Sequence, residues 1–241
     1  MRSVAVVSVG GSPGVTSLVC AVASAVDRAV LVVEAASSGG AIAARWRLDV
    51  RSAVNTSAKL AMDVSGRVDL WAAAHHPWLG QARVLPAHPS AVVMRQAQAG
   101  RWLADRLGTV AQPVLVDAGR VDGSADQLDL LSAVDRLWVL VDPIVEQVTA
   151  ASAVTGWLSK TGPVGLLMRE PAGDPARAAA GSVAATLGWS VVATVPEDCA
   201  AARALCGLSP PRRNLARSPL LRTAGALAER LTAAETEVVT G

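Results

Sequence analysis

The chain of 241 residues is 51% hydrophobic and 17% charged, too apolar for disorder and sufficient for one sizeable core. Its net charge of +2 excludes broad electrostatic attraction to nucleic acid, so nucleic acid is not an expected partner and any basic patch must be local. Apolar runs stay far below the roughly 20 residues of a transmembrane helix, and residues 1–9 have neither the length nor the cleavage site of a signal peptide, so a cytoplasmic protein without a transmembrane segment is expected. There is no Phe and no Tyr; seven Trp supply all the aromatic bulk among abundant Val, Leu and Ala.

In chain order, Val-rich apolar runs occupy residues 4–9, 29–33, 114–116, 137–141, 164–168 and 191–195. Runs apolar on both faces belong to a parallel sheet covered by helices. Between them, residues 16–26, 89–107, 126–135, 144–158 and 175–187 carry helical spacing, with Asp142-Pro143 and Asp174-Pro175 as start signals. Residues 49–85 read as an irregular excursion that returns in a weak strand at Val84-Leu85, and a last helix is expected over about 218–234. No linker or internal repeat divides the chain, so one α/β domain with a doubly wound, mostly parallel sheet in three layers is expected.

Chemistry concentrates after the first strand, in Val9-Gly10-Gly11-Ser12-Pro13-Gly14-Val15-Thr16-Ser17 before a helix. A glycine-rich strand-to-helix turn aims backbone amides and a helix N-terminus at a phosphate. Against G-x-x-x-x-G-K-[ST], Gly14 and Thr16 match, whereas Val15 stands at the lysine and Val9 at the first glycine. The loop is kept and its charge is lost.

This pattern resembles the MinD/ParA family of deviant P-loop ATPases, and within it the CpaE/TadZ-like branch, along nearly the whole chain. The resemblance places Gly10 at the signature lysine and Val15 at the second lysine, a degenerate Walker A motif. It places Glu34 at the first acid of the D-x-D segment and Ala36 at the acid that positions the attacking water. Val114-Leu115-Val116-Asp117 looks like the Walker B strand, so Thr16, Glu34 and Asp117 are the residues it associates with Mg²⁺ if a nucleotide binds. Arg169 stands where the family often has an adenine-binding Asn, and Pro196-Glu197-Asp198 resembles its turn near the base. The implied nucleotide-binding set is Gly10, Gly11, Ser12, Gly14, Val15, Thr16 and Ser17, with ATP or ADP and Mg²⁺ as the cofactors and no catalytic residue. The implied function is a pseudo-ATPase acting as scaffold or positional regulator of a cell-pole, septum, pilus or secretion assembly, with protein partners, a homodimer, and recruitment to a pole or membrane by a partner. Two alternatives stay open: an unconventional ATPase using Thr16 and Asp117 with a lysine from elsewhere, of which only Lys59 and Lys160 exist, and a sensor of a small molecule or anion.

Other constellations are weaker. His75 and His76 are adjacent and lack further ligands at turn spacing, so no metal site is expected. Cys20, Cys199 and Cys206 fit neither a disulfide framework nor a zinc site and read as reduced, structural thiols. Asp126 reads as an N-cap and Asp129 as a solvated helix position. Arg212, Arg213, Arg217 and Arg222 form a local basic cluster, a candidate partner-docking segment, beside a helix whose apolar stripe, Leu220 to Leu231, fits packing on its own sheet.

Overall fold

The computed structural model describes residues 3–10, 14–48, 55–63, 68–76, 80–170, 180–209 and 214–233. Its strands are β1 (Ser3–Ser8), β2 (Val30–Glu34), β3 (Ala82–Leu85), β4 (Val114–Arg120), β5 (Arg136–Val141), β6 (Val164–Glu170) and β7 (Ser190–Pro196). They form one sheet of order β3-β2-β4-β1-β5-β6-β7, and every strand pair in it is parallel. The expected "mostly parallel" sheet is therefore wholly parallel among the described residues, apart from one antiparallel bridge between His75 and Val84.

The helices are α1 (Val15–Ala25), α2 (Ile42–Arg45), α3 (Ser57–Met62), α4 (Leu70–Ala73), α5 (Ala91–Gln96), α6 (Ala99–Leu107), α7 (Ala125–Ser132), α8 (Val145–Thr161), α9 (Ala180–Leu187), α10 (Cys199–Leu205) and α11 (Pro219–Thr232). Successive strand residues point to opposite faces, so the Val-rich runs feed two cores. Val4, Val6, Val30, Val32 and Leu115 pack against α1, α10 and α11. Ala5, Val7, Leu31, Val33, Val114 and Val116 pack against α6 to α9. Three layers result.

Several elements differ from the sequence reading. The single helix expected over 89–107 is two, because Gln98 adopts a left-handed conformation (φ 46°) between α5 and α6. The Asp126 carboxylate accepts from the amides of Gly100 (3.1 Å) and Arg101 (2.8 Å) at the start of α6. Gly100 is required there, since a Cβ would fall 2.6 Å from the Asp126 carbonyl oxygen. Asp126 thus caps its neighbour, and Ser124 caps α7 through the Gln127 amide. The excursion at 49–85 contains α3 and α4, capped by Thr56 and Asp69, and ends in β3, an edge strand of the sheet. The strand β7, read as apolar on both faces, forms the opposite edge and is partly exposed. The last helix lies as expected: Leu220, Ala224, Leu227, Ala228 and Leu231 are buried against the α1 face. No helix among the described residues is long and apolar enough to cross a membrane.

Candidate functional site

The sheet order places β1 between β4 and β5, so the turn into α1 lies where the connections diverge to opposite sides, the position at which open α/β sheets bind ligands. Register then assembles the acids: Val6 of β1 pairs with Asp117 of β4, and Glu34 of β2 also pairs with Asp117. Glu34 therefore ends β2 beside Asp117 of the adjacent β4, on the side of the sheet where β1 runs into Gly10 and Gly14 to Ser17. Gly11 and Ser12, with Pro13, lie outside the described residues.

Gly14, at φ 101°, starts α1 in a conformation that favours glycine, and no side chain caps the helix. The first helical bond runs from the Leu18 amide to the Gly14 carbonyl (2.9 Å), so the amides of Val15, Thr16 and Ser17 form the open helix end. Gly14, Val15, Thr16 and Ser17 line a cleft of about 530 Å³, together with Glu34, Ala36, Ser37 and Asp122. Val15 is only 6% exposed, most of its surface being spent on the core under α1.

Asp117 is fully buried. The Thr16 hydroxyl and the Gly119 amide (3.1 Å to Oδ1) both donate to its carboxylate, yet Oδ2 has no partner among the described residues. Burial pushes its carboxyl above the usual range, against those two hydrogen bonds and the charge of Arg45. Glu34 is engaged differently: Oε1 accepts from the amides of Ala41 (2.7 Å) and Ile42 (3.0 Å), and Oε2 from that of Ala87 (3.1 Å). Burial first, and the Asp117 charge second, push Glu34 up to about 7. Glu34 thus ties the loop after β2 and the loop after β3 to the sheet. Ala36, on the cleft wall, offers a methyl group.

The cleft contains two residues that the sequence reading missed, Arg45 at the end of α2 and Arg120 at the end of β4. No local motif marks either; only the return of the chain after Gly39-Gly40 brings α2 against the end of α10. Neither lysine serves here: Lys59 and Lys160 are exposed on α3 and α8 and do not line the cleft. Arg169, at the place expected for an adenine-binding Asn, is held by Asp142 (3.0 Å) and Glu197 (3.0 Å), joining the ends of β5, β6 and the turn after β7. Asp198 caps α10 through the Ala201 amide (2.9 Å).

Two of the histidines, His75 and His88, take part in local backbone structure. His75 exchanges backbone bonds with Val84 and its Nε2 lies 3.2 Å from the Asn55 carbonyl oxygen; His88 Nδ1 accepts from the Ser90 amide (3.0 Å). No cluster of three or more potential His, Cys, Asp or Glu metal ligands occurs among the described residues. Arg217 and Arg222 are exposed, and Arg222 donates to the Arg217 carbonyl (2.8 Å); Arg212 and Arg213 lie outside the described residues.

No protein-family model matches the sequence, and no curated protein matches it. Solved structures do. MinD of Pyrococcus horikoshii, in complex with Mg-ADP, superposes with a TM-score of 0.80 at 15% identity over 98% of this chain and 97% of that one. The fold is that of the MinD/ParA P-loop ATPases. A ParA-family ATPase of Chlorobium tepidum matches at TM-score 0.73 and 17% identity, over 94% of this chain and 97% of that one. An ATP complex of Cyanothece McdA gives 0.73 at 16%, over 100% and 99%. At such identities the likeness is one of architecture, and it agrees with the placement of Gly14, Thr16 and Asp117 at one end of the sheet.

Proposed function

We propose that this chain is a positional or regulatory protein on the MinD/ParA scaffold, of the CpaE/TadZ-like branch, that does not turn over ATP. The observation that carries this reading is the buried Val15 side chain on the open end of α1, with Ala36 across the cleft. A P-loop lysine places a charge on the transferring phosphate, and losing such a contact costs several kcal/mol of transition-state stabilisation. A valine facing the core and an alanine at the acid position supply neither that charge nor an orienting acceptor for water. Glu34, with three backbone amides on its carboxylate, is spent on holding the fold.

Nucleotide binding without turnover is compatible with the same cleft. The Thr16 hydroxyl and the orphaned Asp117 Oδ2 are hard oxygen donors of the kind that would hold a hydrated Mg²⁺, which when bound would neutralise phosphate charge. The chain would then act as a scaffold for a cell-pole, septum, pilus or secretion assembly, as a homodimer or through protein partners. Ile144 and Val145, exposed at the start of α8 at the carboxyl end of the sheet, support a contact surface there. The exposed Arg217 and Arg222, with Arg212 and Arg213, provide a candidate docking segment. One further reading is favoured by a specific observation: Arg45 and Arg120 on the cleft suit an anion sensor.

The test is calorimetry with Mg-ATP and Mg-ADP beside a phosphate-release assay. The proposal expects release no faster than a buffer control. Turnover that disappears in Asp117→Ala would overturn it.

A further inference from the structure

Beneath the cleft, two cysteines far apart in sequence meet. Cys20 lies in the second turn of α1, fully buried, and Cys206 follows the last turn of α10, 2% exposed. Ser17 and Cys20 stand three residues apart on one face of α1, the face that packs on α10, so Cys20 neighbours the sulfur that Ser17 touches. The Arg45 guanidinium donates through Nη1 to Cys206 Sγ at 3.4 Å, and Ser17 Oγ lies 3.7 Å from the same sulfur. Arg45 and Ser17 both line the cleft, so two of its lining side chains touch the Cys206 sulfur. A guanidinium, a hydroxyl and a second thiol around one sulfur are the surroundings that favour a thiolate. The neighbouring Cys20 thiol, with Arg45 and Ser17, brings Cys206 down to about 6 against the effect of burial, while Cys20 is held well above the usual thiol range. One sulfur is thus the nucleophile and its neighbour the protonated resolving thiol.

We propose that Cys20 and Cys206 are a reversible dithiol–disulfide pair, oxidised by a peroxide, whose state sets the charge that Arg45 presents to the cleft. The Cys206 thiolate attacks one peroxide oxygen and breaks the O–O bond; the departing hydroxide takes a proton and leaves as water, and Cys206 becomes a sulfenic acid. The Cys20 sulfur then displaces the sulfenic hydroxyl, which carries off the Cys20 proton as a second water, and the S–S bond forms. The two thiols lose two electrons and two protons, and the peroxide gains them; a thiol reductant reverses the step.

The coupling to the cleft is electrostatic. In the reduced protein the Cys206 thiolate lies against Arg45 and offsets its charge, with Asp117 acting on it from the sheet. The disulfide is neutral, so oxidation leaves the guanidinium available to an anion at the open end of α1. This part rests on the proposed reading of the cleft as a phosphate-type site. Cys199, exposed and beside Glu197 (3.6 Å), is not a member of the pair.

The experiment uses the full chain carrying Cys199→Ser, reduced and then treated with stoichiometric hydrogen peroxide, with thiols blocked by N-ethylmaleimide after denaturation. Two blocked thiols before oxidation and none after, a Cys20–Cys206 linked peptide, and full recovery with dithiothreitol are expected. Arg45→Met should slow the oxidation, whereas a merely structural thiol would be indifferent to that change. Thiols that stay blockable, or Cys206 that proceeds to a sulfinic acid without linking to Cys20, would overturn the pair. Calorimetry with inorganic pyrophosphate then compares the two states, with binding about tenfold or more tighter expected after oxidation, the range of one charge-assisted contact. A disulfide with equal pyrophosphate binding in both states would overturn the coupling. No pyrophosphate binding in either state would remove the phosphate reading of the cleft and the coupling with it, and leave the disulfide standing.

Discussion

Restoring the missing charge, Val15→Lys, tests the cleft on two scales at once. Val15 is 6% exposed and packs into the core beneath α1, so its replacement forfeits most of a buried valine, about 1.5 to 3 kcal/mol. The lysine stem recovers part of this by lying along the same apolar surface with its ammonium in the cleft. A net loss of about 1 to 2 kcal/mol remains, a melting temperature lower by roughly 2 to 8 °C for a chain of this size. The ammonium would meet a phosphate at the open amides of α1 and gain about 1.5 to 3 kcal/mol, a 10- to 150-fold lower Kd. Calorimetry with Mg-ADP and a thermal melt of the free protein read the two effects separately. A variant that is folded, slightly less stable and no better at binding would refute the idea that the turn before α1 is a phosphate cradle. Turnover should stay absent, because Ala36 still offers no acceptor for water.

Three further outcomes are expected. Glu34 has a folded value of about 7 against an ordinary 4.5, so the native state holds its proton more tightly; the stability it contributes is fully present below about 4.5 and is lost as pH rises through 7. Asp117 shifts in the same direction, and denaturant midpoints should therefore fall between pH 5 and 8, by up to about 3 kcal/mol from Glu34, with a flatter profile in Glu34→Gln; a midpoint that rises would refute the burial argument. Asp126→Ala should cost about 1 to 2 kcal/mol by uncapping α6, with amide exchange accelerated at Gly100 and Arg101; unchanged exchange there would count against the cap. Arg169→Ala leaves the mostly buried Asp142 carboxylate without its cation and should cost about 1 to 3 kcal/mol in chemical denaturation, and an unchanged midpoint would mean that solvent screens the pair fully.

The sequence determined the sheet and the order of its parts, because Val-rich runs apolar on both faces leave a strand only one stable environment, a parallel sheet between helical layers. It also singled out Gly14 and Thr16 at the turn after the first strand and Asp117 within a later one, and parallel pairing through β1 brings them to the same end of the sheet. It could not break the helix over 89–107: nothing between Gln96 and Gly100 forbids continuation, and the break at Gln98 answers to Asp126, which reaches the α6 amides only once α6 and α7 pack. Nor could it show that Glu34 serves three amides from two distant loops, or that Val15 faces the core. Arg45, Cys20 and Cys206 were invisible as a group for the same reason. Cys20 lies on α1, Arg45 on α2 and Cys206 just after α10, and only the packing of these elements brings the guanidinium onto the Cys206 sulfur beneath the cleft with Cys20 beside it.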